Sequence, residues 1–89
     1  MLVTHLHPDH VGCAGWLCER FDIGLYMTRE EYLLCRIVVS DTGLPAPKEG
    51  RRFYQSAGFA KAHMQRYIEM FGSFGKVVAQ LPPDVKIIP

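Results

Sequence analysis

The sequence predicts an α/β chain that is mostly helical, with short strands near both ends. Apolar residues recur at spacings of three and four along much of residues 10–71, which is the period of amphipathic helices. Short runs with β-branched residues at 2–6 and 84–88 are typical of strands. The 89 residues are 48% hydrophobic and 21% charged, a globular composition that argues against intrinsic disorder.

The chain is expected to begin with a strand that leads into a loop. Residues 2–6 are apolar and partly β-branched, as in a buried strand. Residues 7–9 are predicted to be a loop, because Pro8 holds this segment out of helix and favours extended backbone at His7. No turn precedes this strand to supply a neighbour, and the final strand ends with the chain, so we expect a fragment of a larger protein.

A helix and a second strand are predicted to follow. Apolar residues at helical spacing indicate a helix over 10–21. Gly12 and Gly15 weaken it by roughly 1 kcal/mol each relative to Ala, so we expect another segment to pack closely against its first turns. Gly24 is expected to end the helix before a short strand at 25–27.

The remaining elements are predicted to be mainly helical. Thr28 and Glu31 match a capping box, in which each side chain accepts a hydrogen bond from the backbone N–H of the other residue. The helix that they begin has an apolar stripe wide enough to predict burial on more than one side. The helices are expected at residues 29–40, 50–57 and 60–71. A proline-rich linker at 81–84 is expected before the last strand.

Three imidazoles and one carboxylate lie within six residues at the end of the first strand: His5, His7, Asp9 and His10. Alternate side chains of an extended segment share a face, with Cα atoms about 6.5–7 Å apart, so His5 and His7 can reach one metal ion. Asp9 and His10 follow the turn and can reach a second ion nearby. Zinc binds imidazole and carboxylate, and two ions about 3.5–4 Å apart form a hydrolytic clamp.

The segment His5-x-His7-x-Asp9-His10 resembles the signature of the metallo-β-lactamase superfamily, and the helix–strand–helix order after it is similar too. The resemblance implies an αββα sandwich with the metal site at one edge of its two sheets, of which this chain is a fragment. It implies that His5 and His7 ligate the first ion, that Asp9 and His10 ligate the second, and that Asp9 also takes part in catalysis. The partial domain then comprises a motif segment, a helical insert and a linker with a strand, at residues 1–27, 28–80 and 81–89.

The resemblance also implies an activity and its cofactors. We expect a hydrolase in which a metal-bound hydroxide attacks a small ester or thioester, with two Zn²⁺ ions, or with Fe or Mn on the same donors. Family members complete this site with two more histidines and a bridging carboxylate. His63 has a helical context, and Asp41 and Asp84 read as loop residues, so the chain alone is expected to be inactive and to bind zinc weakly.

Two other functions remain open. Aromatic and methionine residues over 28–75 are typical of a core, but they could instead form a non-catalytic interaction or dimerisation module beside a vestigial histidine run. The same metal site could also serve a phosphodiesterase or nuclease. The basic cluster of Lys48, Arg51 and Arg52 would suit that role, but a formal net charge of +1 argues against a nucleic-acid partner.

Composition also predicts the surroundings of the protein. No apolar run approaches the roughly 18–20 residues that span a bilayer, and the first residues lack the features of a signal peptide, so we expect a cytoplasmic enzyme with a small-molecule substrate and no membrane contact. Cys13, Cys18 and Cys35 form no C-x-x-C pair and are expected to be small buried side chains. Unpaired strand edges predict self-association, and hence a homo-oligomer.

Overall fold

The computed structural model describes all 89 residues. Its strands β1 and β2 are Tyr26–Thr28 and Lys86–Ile88. Its helices α1 to α5 are Pro8–Val11, Ala14–Phe21, Arg29–Ser40, Lys48–Ser56 and Lys61–Met70, followed by a 3₁₀ turn at Phe74–Val77. The predicted α/β composition is therefore correct, and most elements lie within one or two residues of their predicted bounds. No helix combines the length and the apolar character that crossing a membrane requires.

The sheet consists of three parallel segments with β1 in the middle. On one side β1 pairs with β2, in a register that places Met27 opposite Ile87. On its other side Leu2 bridges to Tyr26, and the N–H of Val3 donates to the Tyr26 carbonyl over 3.0 Å. The predicted strand over 2–6 is therefore too long, because the pairing with β1 ends at Val3.

Helical connections join the three parallel segments in chain order. Buried residues of α1, α2 and α3 pack in one cluster with those of the sheet segments, so these helices cover the same face of the sheet. The core lies on this face and contains seven buried residues: Val3, Val11, Ala14, Cys18, Leu25, Met27 and Cys35. Because strand side chains alternate, Leu2 and Tyr26 lie on the opposite face, where they are 61% and 43% exposed.

The first helix begins earlier than predicted. The loop expected at 7–9 is instead the start of α1, with Pro8 at its first position, where a missing N–H costs no helical hydrogen bond and the fixed φ suits the helix. His7 is extended as predicted, with φ −56° and ψ 139°. The single helix expected over 10–21 is broken between Val11 and Ala14 into α1 and α2.

Close packing explains the glycines of this region. A Cβ atom on Gly15 would collide with the carbonyl oxygen of Gln80, which confirms the predicted close approach. Helix α2 ends at Phe21, as predicted, but the residue that terminates it is not Gly24. Its C-cap residue is Asp22, which has a left-handed conformation with φ 51° and whose N–H donates to the Cys18 carbonyl. Asp tolerates this conformation better than most residues.

Helix α3 begins at Arg29, as predicted, but without the predicted capping box. The Thr28 side chain makes no capping hydrogen bond, and the Glu31 carboxylate accepts one from the N–H of Leu6 instead. Only one face of α3 is covered. Cys35 is buried there, whereas three apolar residues are about half exposed, so the expectation of burial on several sides is wrong; they are Leu33, Leu34 and Ile37.

Helices α4 and α5 form a hairpin that contains no buried residue. Its contacts are mainly aromatic: the ring centre of Tyr54 lies 4.7 Å from that of Phe59 and 4.6 Å from that of Tyr67. The molecule is elongated, with extents of 46 × 26 × 18 Å. The aromatic stripe of this segment therefore packs within the hairpin and does not extend the core.

The cysteines differ in exposure, and we expect them to differ in reactivity. Cys13 is exposed, contrary to expectation, whereas Cys18 and Cys35 are buried. Burial raises the pKa of the Cys35 thiol above its ordinary value of 9.0, and the nearby Glu31 charge adds to this rise. At pH 8 iodoacetamide should alkylate Cys13 at least about tenfold faster than Cys35, because the thiolate is the nucleophile. Peptide mass spectrometry measures both rates, and equal rates would contradict the burial.

The same shift predicts a pH dependence of stability. The unfolded thiol ionises near pH 9.0, whereas the folded Cys35 thiol keeps its proton to higher pH. The stabilisation is therefore complete below pH 9 and is lost as the pH rises through the folded pKa. Cys35→Ala should flatten the fall in unfolding free energy above pH 9, with Cys13→Ala as the control.

Candidate metal centre

The histidine motif lies where the first sheet segment turns into α1. His5 follows the paired residues, His7 precedes the helix, and Asp9 and His10 are inside it. The His7 carbonyl accepts hydrogen bonds from the N–H groups of His10 and Val11, over 2.8 and 3.0 Å. This tight turn brings His10 back toward His5.

The three imidazoles converge, with His5 in the middle. The ring centre of His5 lies 4.8 Å from that of His7 and 4.1 Å from that of His10. The Asp9 carboxylate lies 3.6 Å from Nε2 of His10. The side chains of Asp9 and His10 are 80% and 49% exposed, so both can be reached from solvent.

Thr4 orients the central histidine. Its hydroxyl lies 2.9 Å from Nδ1 of His5, and which atom donates depends on the tautomer of the ring. When Nδ1 carries the proton and donates to Thr4, Nε2 is left with a free lone pair. Partners of this kind fix the orientation and tautomer of histidine ligands. Thr4 precedes the motif directly, and that position is the only sequence signal for this role.

The side chains of the motif are of the types that bind divalent metal ions, and the distance between one pair of them suits a shared ion. Imidazole and carboxylate suit zinc, and two imidazoles on one tetrahedral ion place their ring centres about 5 Å apart. The His5–His7 separation of 4.8 Å matches this value. No group of three or more His, Cys, Asp or Glu side chains is arranged to hold an ion, however. The motif thus provides two donors for an ion and leaves the third to be supplied.

The other candidate ligands lie on different elements. His63 is in α5, where its ring packs edge-on at 6.0 Å from that of Phe59. Asp41 follows the last turn of α3, and Asp84 lies in the turn before β2. Glu31 is the residue that sequence reasoning assigned wrongly: it appeared as a helix cap, but its hydrogen bond reaches the motif at Leu6.

A cavity of about 770 Å³ lies between α3 and the segment that follows the 3₁₀ turn. Tyr32, Cys35 and Arg36 contribute to one wall, and Leu81 to the other. None of the motif residues lines it. The imidazole cluster therefore lies outside this cavity, with His7 and His10 exposed and His5 half-buried.

The sheet is parallel, helices cover one face of it, and histidines gather where its first segment meets a helix. These features define a class of α/β proteins that carry potential metal ligands at the end of a strand. Comparison with protein families narrows this class. The model of the metallo-beta-lactamase superfamily matches residues 1–85, nearly the whole chain. The chain belongs to this superfamily, which confirms the resemblance carried by the motif. A search of curated proteins finds no significant match.

Proposed function

We propose that this chain contributes half of the metal centre of a metal-dependent hydrolase. The observation that carries the proposal is the convergence of three imidazoles within the segment that the superfamily model matches. His5 and His7 would hold one ion, and Asp9 and His10 a second. Zn²⁺ suits these donors best, and Fe or Mn would be accepted with adjustment.

The residues of the motif have separate tasks in this proposal. When bound, the ions would lower the pKa of water toward about 7 and so supply a nucleophile at neutral pH. When Nδ1 of His5 donates to the Thr4 hydroxyl, 2.9 Å away, the lone pair of Nε2 would be free to bind an ion. Asp9, beside His10 and open to solvent, can orient the attacking water and take up its proton on a carboxylate oxygen.

A small ester or thioester is the proposed substrate. The exposed side chains of Asp9 and His10 leave the motif accessible to a small acyl substrate, and a net charge of +1 gives no general attraction for a polyanion. The basic side chains Lys48, Arg51 and Arg52 are exposed on α4, and no contact links them to the histidines. Comparing a thioester reporter with a phosphodiester reporter separates this proposal from a nuclease.

Further ligands must complete the centre. Catalytic zinc normally keeps three protein ligands, whereas each ion would have two here. We propose that histidine and carboxylate donors outside these residues fill the remaining positions. The exposed sheet face with Leu2 and Tyr26 would then pack on a second sheet, giving the αββα sandwich. We further propose a homo-oligomer, because both outer sheet segments have unpaired edges. A cytoplasmic location is proposed on composition alone.

The ligand count leads to a direct prediction for zinc. Isothermal titration of this 89-residue chain with Zn²⁺ should give no site of nanomolar affinity, because two donors per ion leave each site incomplete. His5→Ala should weaken the residual binding, and His63→Ala, the matched change on α5, should not. Two nanomolar sites in the unmodified chain would contradict the need for outside ligands.

A non-catalytic interaction module is the second candidate, and the exposed hairpin favours it. Phe53 on α4 is 66% exposed, and Ile37 on α3 is 58% exposed. In that case the chain would self-associate through these surfaces and its histidines would be dispensable. Sedimentation of Phe53→Ala and His7→Ala variants discriminates, since only the first change should then alter association.

A further inference from the structure

We propose that Glu31 is a positioning residue for the metal motif, holding in place the peptide that joins His5 to Leu6. This inference rests on the proposed function of the motif, which it deepens. The N–H of Leu6 donates to Oε2 of Glu31 over 2.9 Å in a partly buried position, across 25 residues of sequence. Glu31 thus connects the first turn of α3 to the middle of the histidine run.

The first sheet segment has no partner of its own at this point. Its last backbone hydrogen bond to β1 is the one from Val3 to Tyr26, so residues 4–6 leave the sheet. The Glu31 carboxylate receives the N–H of Leu6 where a neighbouring strand would otherwise supply a carbonyl. A hydrogen bond to a charged acceptor is roughly twice as strong as one between neutral groups.

Leu6 lies between the two histidines that would share an ion. Its side chain packs against the core, whereas His7 is exposed and His5 lies half-buried at a bend of the backbone. The rings of these two histidines are 4.8 Å apart. Holding Leu6 through both its side chain and its N–H therefore restrains the backbone that carries both imidazoles.

A purely helix-capping role does not account for Glu31. A capping glutamate accepts from the N–H of its own N-cap residue, but Glu31 accepts from Leu6, and the Thr28 side chain caps nothing. Glu30, the adjacent residue in the same helical turn, is exposed and makes no such bond. It provides a matched control with the same charge.

The test compares Glu31→Ala, Glu31→Gln and Glu30→Ala in this chain by NMR. In Glu31→Ala we expect the Leu6 amide to exchange at least about tenfold faster and the ring Cε1–H signals of His5 and His7 to shift. Glu31→Gln retains a neutral acceptor oxygen and should restore part of both effects, whereas Glu30→Ala should change neither. Far-UV circular dichroism reports the fold, and Glu31→Gln decides the test if the alanine variant unfolds.

Titration with Zn²⁺, monitored by the same ring signals, measures the effect of each variant on metal affinity. We expect the midpoint to rise about tenfold in Glu31→Ala, in line with the loss of groups that orient histidine ligands. The proposal would be overturned if the Leu6 amide exchanged at the same rate in Glu31→Ala. It would also be overturned if that rate rose while the ring signals of His5 and His7 stayed unchanged. A chain that shows no response to millimolar Zn²⁺ would instead count against the proposed function, and the metal-free ring signals would then decide the role of Glu31.

Discussion

Leu25→Ala is expected to cost about 2–5 kcal/mol of unfolding free energy, enough to unfold a large part of the molecules at room temperature. Leu25 is completely buried between the sheet and the helices, in a core of seven buried residues. A chain of 89 residues has a total stability of roughly 4–13 kcal/mol at the usual 0.05–0.15 kcal/mol per residue. So small a core cannot compensate for the cavity, because few neighbours remain to close it.

Thermal unfolding followed by circular dichroism checks this prediction. A loss of about 3 kcal/mol should lower the midpoint by roughly 12–24 °C in a domain of this size. Leu34→Ala makes the same chemical change on α3 at a position that is 47% exposed, and it should shift the midpoint by only a few degrees. Equal shifts in the two variants would mean that Leu25 is not the centre of the core.

Local patterns in the sequence predicted the elements better than their ends. Periodicity located the helices, the run at 84–88 located β2, and the short segment after Gly24 located β1, whereas the run at 2–6 forms only a bridge to β1. The errors arose where one residue has two physically reasonable roles. Pro8 can keep the chain out of a helix or begin one, and here it begins α1. Both Asp22 and Gly24 can end a helix, and the left-handed residue is Asp22.

The candidate site was predictable as a set of donors but not as an arrangement. Alternation along extended backbone predicted that His5 and His7 can approach each other, and their ring centres lie 4.8 Å apart. The approach of His10 to His5, at 4.1 Å between ring centres, depends on α1, which the sequence reading had placed as a loop up to Asp9. The hydrogen bond from Leu6 to Glu31 joins residues 25 apart, and no local pattern contains such a contact.

His7→Ala is expected to abolish hydrolysis in the encoded protein that contains these residues, while leaving the fold intact. His7 is exposed, its side chain makes no capping hydrogen bond to α1, and Ala retains the backbone carbonyl that accepts from His10. The change should therefore remove a metal donor with little structural cost. The rate should fall by more than the roughly 10–100-fold that follows loss of a group which only orients a ligand.

Three measurements on that protein distinguish the possible outcomes of His7→Ala. Metal content by mass spectrometry should fall together with thioester hydrolysis, and His63→Ala, the same change on α5, should alter neither. Sedimentation should show the same oligomer for His7→Ala as for the unmodified protein, because His7 lies outside the hairpin of α4 and α5. If His7→Ala retained full metal content and activity, the imidazole cluster would not be the catalytic centre. If the unmodified protein bound no metal and only associated, the interaction module would be the better account, because a donor set that holds no ion cannot activate water.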